Sequence, residues 1–337
     1  MILAITVPFA SALVLGPATP RGAITTPRAL SLMISPLPPK GFVWADDVST
    51  SIEMDASETT SSPVAASPAP TPSSSVMVLS DANTVGAEVM ARVEDAATKA
   101  IAEKGHFALA IPGGSILKML AGSKPSWANK CTLAYVNHKA VATDDAELAT
   151  HMKARKLFLD DGWAGVNAIV MDGTADAKAE AASYEAQLKA IPEAELPRTA
   201  SGLPAFDMML IGVGDDGHVG SLYPNRDEVL DASGAWVLPV EMKTPGSITL
   251  SLPLMRASKE VVIAACGVSD KYPKGKSEAM ARGIEGDETP TSFPASGLRD
   301  VATWVLDAAA ASTLSPDYAE CFMLTMSRGD CNPTGVA

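Results

Sequence analysis

FDMMLIGVGDDGHVGSLYP, residues 206–224, decides the fold. Met208 to Ile211 is apolar at every position, without the alternation of a strand that has one wet face. Such a run reads as a strand buried on both sides, the mark of a parallel sheet covered by helices. Glycines then crowd in at 212, 214, 217 and 220, with Asp215, Asp216 and His218 among them. In open α/β sheets ligands bind beyond the carboxyl ends of the strands. His218, one of four histidines in the chain, therefore stands where a pocket is expected. Two readings stay open at this point: a turn residue without a task, or a proton carrier at the mouth of a pocket.

The flanking sequence repeats the pattern. HFALAI (106–111), CTLAYVN (131–137) and EVVIAACG (260–267) read as further buried strands. VGAEVMARVEDAATKAIAEKG (85–105), ADAKAEAASYEAQLKAI (175–191) and GKSEAMARGIEG (275–286) read as helices, the first stopping at the C-cap Gly105. This alternation predicts an α/β fold: a mostly parallel sheet with helices on both faces. At 47% hydrophobic over 337 residues the chain can bury a sizeable core. Its net charge of −13 argues against a general nucleic-acid binder. It leaves an anionic ligand open, because local lysines can oppose the global sign. Cys131 and Cys266 fall in apolar runs and are expected to be buried thiols; Cys321 and Cys331 lie in the tail. No CxxC or His/Cys cluster occurs, so no structural zinc site is expected.

The ends of the chain differ in kind. MILAITVPFASALVLG (1–16) is apolar and uncharged, like a secretory h-region. The stretch to residue 42 is basic and rich in Ser, Thr and Pro, with Arg21, Arg28 and Lys40 and no acid, like a transit segment. Together, residues 1–42 read as a targeting presequence for a plastid bounded by extra membranes. The alternatives are a plain secretory signal followed by a pro-segment, or a cytosolic location. Residues 43–74, ending in SSPVAASPAPTPSSS, read as a disordered linker. Residues 75–314 form the expected domain and 315–337 a tail, whose Arg328-Gly329-Asp330 is assigned no role. No stable membrane association is expected after processing, and the expected state is a monomer or weak homo-oligomer.

Four strand ends carry polar groups. IPGGS places Gly113, Gly114 and Ser115 between a strand and a helix, where backbone N–H groups can meet an anion; Lys118 follows on the first turn. Asn137-His138-Lys139 closes another strand. Asp216 stands two residues before His218, close enough to orient its ring, and Gly220-Ser221 leaves room for a ligand or the start of a helix. Lys271, Lys274 and Lys276 precede the last helix, where a lysine can hold a phosphate as a point charge. Each of these is equally readable as a solvated loop or an ordinary turn.

Residues 212–224 resemble the central signature of the 6-phosphogluconolactonase family, Gly-x-Gly-x-Asp-Gly-His-x-x-Ser-Leu-Phe-Pro, with Tyr223 in place of Phe. AIAEKGHFALAIPGGS resembles that family's first strand and glycine loop, and GTADAKAEAASYEAQL the helix before the signature. ITLSLPLMRASKEVVIAACG and ATWVLDAAAASTL resemble its later strands and closing helix. The resemblance implies a doubly wound sheet carrying a smaller appended layer, and hydrolysis of 6-phosphoglucono-δ-lactone in the oxidative pentose phosphate pathway without a metal or a cofactor. It makes His218 the general base, with Asp216 beside it. It places Gly113, Gly114, Ser115, Lys139, Gly217, Ser221 and Lys276 around the sugar phosphate.

Three features depart from the family pattern: DDAELATHMKARKL (144–157) lacks the Ser-Asn pair that often precedes a helix there, and two strand positions differ. Asn137-His138-Lys139 stands where Asp-Glu-Arg is usual, and Ser247 where an arginine precedes Ile-Thr-Leu. Lys271 or Lys274 is the expected compensation for the lost charge. Two other readings accompany the hydrolase. One is a non-catalytic sugar-phosphate-binding paralogue, motivated by these departures. The other is an amino-sugar-phosphate deaminase/isomerase, which shares the Gly-x-Gly-x-Asp-Gly-His core but tends to continue Phe-Asn-Glu-Pro rather than Ser-Leu-Tyr-Pro.

Overall fold

A computed structural model describes residues 75–268 and 275–316. The presequence, the linker, Lys271, Lys274 and residues 317–337 of the tail, with its cysteines, lie outside the described residues. The described strands are β1 (Ser75–Leu79), β2 (Phe107–Ile111), β3 (Cys131–Tyr135), β4 (Asn137–Lys139), β5 (Asn167–Ala168), β6 (Met208–Ile211), β7 (Val237–Val240), β8 (Ser247–Leu250), β9 (Val261–Ala265) and β10 (Ala302–Asp307). Seven of them form a parallel sheet in the order β1-β10-β9-β6-β2-β3-β5. Every residue of β2, β3, β6 and β9 is buried, which is why these runs are apolar without alternation. β4, β8 and β7 form a separate antiparallel sheet, the smaller appended layer.

The α-helices are α1 (Ala82–Lys104), α2 (Ser115–Met119), α3 (Thr150–Ala154), α4 (Asp160–Gly162), α5 (Ala177–Ala190), α6 (Leu252–Arg256) and α7 (Ser277–Ile284). Helix α1 begins at a capping box, in which the Asp81 carboxylate accepts from the N–H groups of Asn83 and Thr84 while the Thr84 hydroxyl accepts from the Asp81 N–H. It stops at Gly105, whose φ of 79° is the left-handed conformation that favours glycine. Val85, Val89, Val93, Ala96, Ala97 and Ala100 make its buried stripe. The end of α1 is tied to the start of β6 by Lys104, whose ammonium lies 3.0 Å from the buried Asp207 carboxylate.

Four expectations are corrected. The stretch CTLAYVN is not one strand: β3 ends at Tyr135, and Asn137 starts β4 in the other sheet. Val136 is the hand-over, donating its N–H to Ile111 of the parallel sheet and accepting from Leu250 of the antiparallel one. The closing helix is absent from the described residues. Ala302–Asp307 is a strand held between β1 and β9, and the Ala-rich run after it makes turns. The buried Asp307 carboxylate fixes that turn by accepting from the N–H groups of Gly267 and Ala310. Gly220-Ser221 starts no helix; Val219 and Leu222 pair across it in a tight turn. Of the two thiols, Cys131 is buried and Cys266 only partly so.

The strand order reverses between β2 and β6. From β2 the chain winds outward through β3 and β5; from β6 it winds the other way through β9 and β10 to meet β1. That reversal is the topological switch point, where the loops leaving two neighbouring strands separate and open a crevice. The glycine loop leaves β2, and the histidine loop leaves β6. Residues 137–139 follow β3, and Lys276 follows β9, so the four polar strand ends belong to four adjacent strands.

Candidate active site

The histidine loop is shaped by what its glycines permit. Gly214 donates its N–H to the His218 carbonyl at 2.9 Å and accepts from Gly217 at 3.1 Å, so the chain folds back on itself. Gly217 has φ of 83°, and a Cβ there would lie 2.3 Å from the Phe293 ring. A Cβ on Gly214 would lie 2.1 Å from His218 Nδ1. The imidazole thus occupies the space that a side chain at 214 would take. Phe293, which sequence reasoning did not single out, closes the loop from below, and the Gly217 carbonyl accepts from Ala295.

The pair at the centre is His218 and Asp216. Nδ1 lies 2.5 Å from Asp216 Oδ1, and the same oxygen accepts the His218 backbone N–H at 3.1 Å. An ionised carboxylate can only accept, so Nδ1 carries the proton and Nε2 presents its lone pair. Burial alone would raise the Asp216 carboxyl, but the hydrogen bonds from His218 outweigh it and hold the carboxyl below its ordinary value. Asp216 therefore stays ionised through neutral and mildly acid pH. The His218 side chain is about a quarter exposed, held but reachable. Its ring packs on Tyr223 with centroids 4.8 Å apart.

The strand β4 divides its three residues by side. Asn137 and Lys139 are half-buried while His138, between them, is buried, as the two-residue period of a strand requires. Asn137 Nδ2 donates to the Ser221 hydroxyl at 3.1 Å, and the Ser221 N–H donates to Thr249 Oγ1. Ser221 is buried, so the structure places it behind Asn137's amide as a hydrogen-bond partner. Gly220 allows this approach, since a Cβ there would meet Thr249 Oγ1 at 2.7 Å. His138 is placed away from the pocket. Its Nε2 accepts the His151 N–H at 3.1 Å, and its Nδ1 is 2.8 Å from the Lys139 carbonyl. Burial lowers its pKa, so it is a neutral, fully bonded core residue.

Lys276 Nζ donates to the Val213 carbonyl at 2.7 Å and so stands against the base of the histidine loop. Gly113 and Gly114 follow β2, the strand beside β6; Gly114 has φ of 81° and Ser115 is exposed at the start of α2. Lys118 is exposed on that short helix. One group near the site had no sequence signal: Lys243, in the β7–β8 connection, whose Nζ lies 4.2 Å from the centre of the Tyr223 ring.

A doubly wound sheet, an appended antiparallel layer and a carboxylate-oriented imidazole at the switch point define an α/β protein equipped for proton transfer on a small ligand. Known proteins give that class a family. Residues 80–306 match the family described as glucosamine-6-phosphate isomerases/6-phosphogluconolactonase. The chain is 31% identical over 261 residues to a 6-phosphogluconolactonase of Mycobacterium bovis, covering 72% of this chain and 99% of that one. It is 29% identical over 236 residues to the chloroplastic 6-phosphogluconolactonase 3 of Arabidopsis thaliana, covering 65% of this chain and 69% of that one. The crystal structure of 6-phosphogluconolactonase from Leishmania guyanensis shares the fold, with a TM-score of 0.59 at 22% identity over 72% of this chain and 99% of that one. The chain belongs to the glucosamine-6-phosphate isomerase/6-phosphogluconolactonase family.

Proposed function

We infer that the protein hydrolyses 6-phosphoglucono-δ-lactone to 6-phosphogluconate with His218 as the general base. The observation that carries the base assignment is the 2.5 Å contact between His218 Nδ1 and Asp216, which leaves Nε2 as the basic nitrogen. Nε2 takes a proton from water as the water oxygen attacks the lactone carbonyl carbon. The tetrahedral intermediate then collapses with cleavage of the bond to the ring oxygen, and the imidazolium returns its proton to that oxygen. Asp216 holds the ring in one tautomer and balances the charge that forms on it. The N–H groups of Gly113, Gly114 and Ser115 are assigned to the sugar phosphate, and Lys139 and Lys276 to its charge. Relatives named for this activity, and Ser-Leu-Tyr-Pro after the histidine in place of Phe-Asn-Glu-Pro, support the lactonase over the isomerase.

The test is hydrolysis of freshly generated 6-phosphoglucono-δ-lactone by the full chain, measured above the spontaneous rate. Turnover on the order of 1–10³ s⁻¹, the range of ordinary enzymes, is expected. Tight binding of 6-phosphogluconate by a folded protein that does not accelerate hydrolysis would favour the non-catalytic paralogue instead.

Plastid routing belongs to the same reading. It is supported by the acid-free, hydroxyl-rich composition of residues 17–42 and by a relative named chloroplastic. Among the described residues no helix is long and apolar enough to cross a membrane. Residues 1–74 fused to a fluorescent reporter are expected to carry it into the plastid; a reporter that is secreted, or that stays in the cytosol, would overturn the routing.

A further inference from the structure

We propose that His138 is a positioning residue whose neutral ring joins two walls of the crevice, β4 and the glycine loop, and that its protonation loosens them and weakens binding of the sugar phosphate. The identity of the ligand rests on the lactonase reading; the joint itself is a feature of this chain behind the site.

The joint is a series of contacts. Helix α3 starts after Ala149, which has no side-chain acceptor for the free N–H groups of a first helical turn. His138 supplies the acceptor from another element: its Nε2 accepts the His151 N–H at 3.1 Å. Its Nδ1 donates to the Lys139 carbonyl at 2.8 Å, so the ring is held at both nitrogens and carries its proton on Nδ1. One residue before His151, the buried Thr150 lies against the glycine loop, where a Cβ on Gly113 would come within 3.2 Å of its hydroxyl oxygen. β4, α3 and Gly113 therefore follow one another, and the His138 ring is the bond between the first two. Asn137 and Lys139 flank that ring on β4, so a displacement of His138 displaces them as well.

Protonation reverses the bond to α3. Both nitrogens of an imidazolium are donors, so Nε2–H would meet the His151 N–H, donor against donor. The elements around the ring do little for the new charge. β3 contributes Tyr135, its ring 5.7 Å from that of His138 and its hydroxyl 2.8 Å from His151 Nδ1. α3 contributes His151 and Lys153, whose positive charges oppose another. β8 places the uncharged Ile248 opposite. α5 contributes Glu180, whose carboxylate already accepts the N–H groups of Asp172 and Thr174. Within β4, Lys139 stands on the other side by the strand period. Burial, opposed in part by the Lys139 carbonyl and Glu180, holds His138 below the ordinary histidine value; burial and then the charge of His138 do the same for His151. The sign follows: the contribution of a neutral buried histidine is present above the unfolded value of about 6.5 and is lost as pH falls from there through the lower folded one.

Calorimetry with 6-phosphogluconate on the full chain, from about pH 8 down to about pH 5, tests the joint with two variants. Glutamine brings an amide oxygen to the place of Nε2 and does not titrate. Leucine fills the space and offers no acceptor at any pH. Near pH 8, His138→Gln is expected to bind within about twofold of the wild type and His138→Leu about three- to tenfold more weakly, the worth of one neutral hydrogen bond. Near pH 5 the wild type should weaken to the level of His138→Leu, while His138→Gln loses only what protonation of the ligand costs all three proteins. In turnover the loss should fall on KM, with kcat within about threefold, because His138 does not touch the reacting atoms. A His138→Gln protein that follows the wild-type curve overturns the proposal, as does a His138→Leu protein that binds like the wild type near pH 8. Should His138→Leu not fold, the comparison of His138→Gln with the wild type decides alone. Hydrogen exchange reads the joint without a ligand: relative to His138→Gln, the wild type should lose protection over residues 149–152 and 111–116 together as pH falls. Loss over 149–152 alone overturns the link to the glycine loop. If 6-phosphogluconate binds at no pH, the lactonase reading fails and the exchange result still decides the joint.

Discussion

His218→Ala is expected to lower kcat for the lactone by about 10²–10⁴-fold, the usual contribution of a positioned general base. KM should move much less, because the imidazole acts on water and on the ring oxygen rather than holding the phosphate. The fold should survive, since the ring already reaches solvent and its loop is held by backbone bonds through Gly214, Gly217 and Ala295. Circular dichroism and a melting curve beside the assay would establish that. Unimpaired turnover in a folded His218→Ala protein would leave a hydrolase with a different base. Asp216→Asn is the companion experiment. Asparagine keeps an acceptor for Nδ1 but removes the charge, at roughly 1.5–3 kcal/mol for a charge-assisted hydrogen bond, so kcat should fall about ten- to a hundredfold. The carboxyl lies below its ordinary value, so the carboxylate that asparagine replaces is ionised at every pH above about 4. The charge that asparagine removes is therefore present across that whole range. Stability follows the same sign: the contribution of Asp216 is present above its unfolded pKa and disappears only as pH falls through the lower folded one. Unimpaired kcat in a folded Asp216→Asn protein would show that the ionised Asp216 does not act through His218.

What the sequence makes visible here is whatever depends on local chemistry. Met208–Ile211 reads as a doubly buried strand because each residue is apolar, and the glycines at 214 and 217 announce a loop that no side chain could enter. Gly105 and the stripe from Val85 to Ala100 announce α1. What stays hidden depends on partners far along the chain. β4 has only three residues and follows β3 after one, so in sequence it is the tail of β3. Nothing local says that Val136 changes sheets. Once it does, the two-residue period turns His138 inward and leaves Asn137 and Lys139 together, which a single strand through Asn137 cannot reveal. The run after Trp304 is rich in alanine and reads as a helix. Pairing with both β1 and β9 makes Ala302–Asp307 a strand instead, and the alanines after it turn where that pairing ends. Lys243 looks like any lysine in a polar turn; its meaning comes from Tyr223, 20 positions away in sequence and 4.2 Å away in space.

Gly214→Ala should inactivate the protein nearly as thoroughly as removing the histidine itself. The backbone at 214 is not in the left-handed region, so alanine there meets no conformational penalty of the kind that Gly217, at φ 83°, would impose. The obstacle is the imidazole. The new methyl would lie 2.1 Å from His218 Nδ1, 2.2 Å from Cε1 and 2.7 Å from Asp216 Oδ1, and these cannot all be relieved without moving the ring off the carboxylate. Rotation of the ring into solvent costs the charge-assisted hydrogen bond to Asp216, about 1.5–3 kcal/mol, against the roughly 5–15 kcal/mol that holds an ordinary domain, so most of the stability should remain. The ring that has moved no longer presents Nε2 to the water, and kcat should fall about 10²–10⁴-fold, as for His218→Ala. The double variant separates position from presence. With the ring gone, the methyl has room, so Gly214→Ala/His218→Ala should be no slower than His218→Ala alone, and the melting temperature lost to the methyl should be largely recovered. Additive losses in the double variant would mean that Gly214 serves the reaction in its own right. Near-normal activity in Gly214→Ala would mean that the working position of the imidazole is not the one beside Asp216.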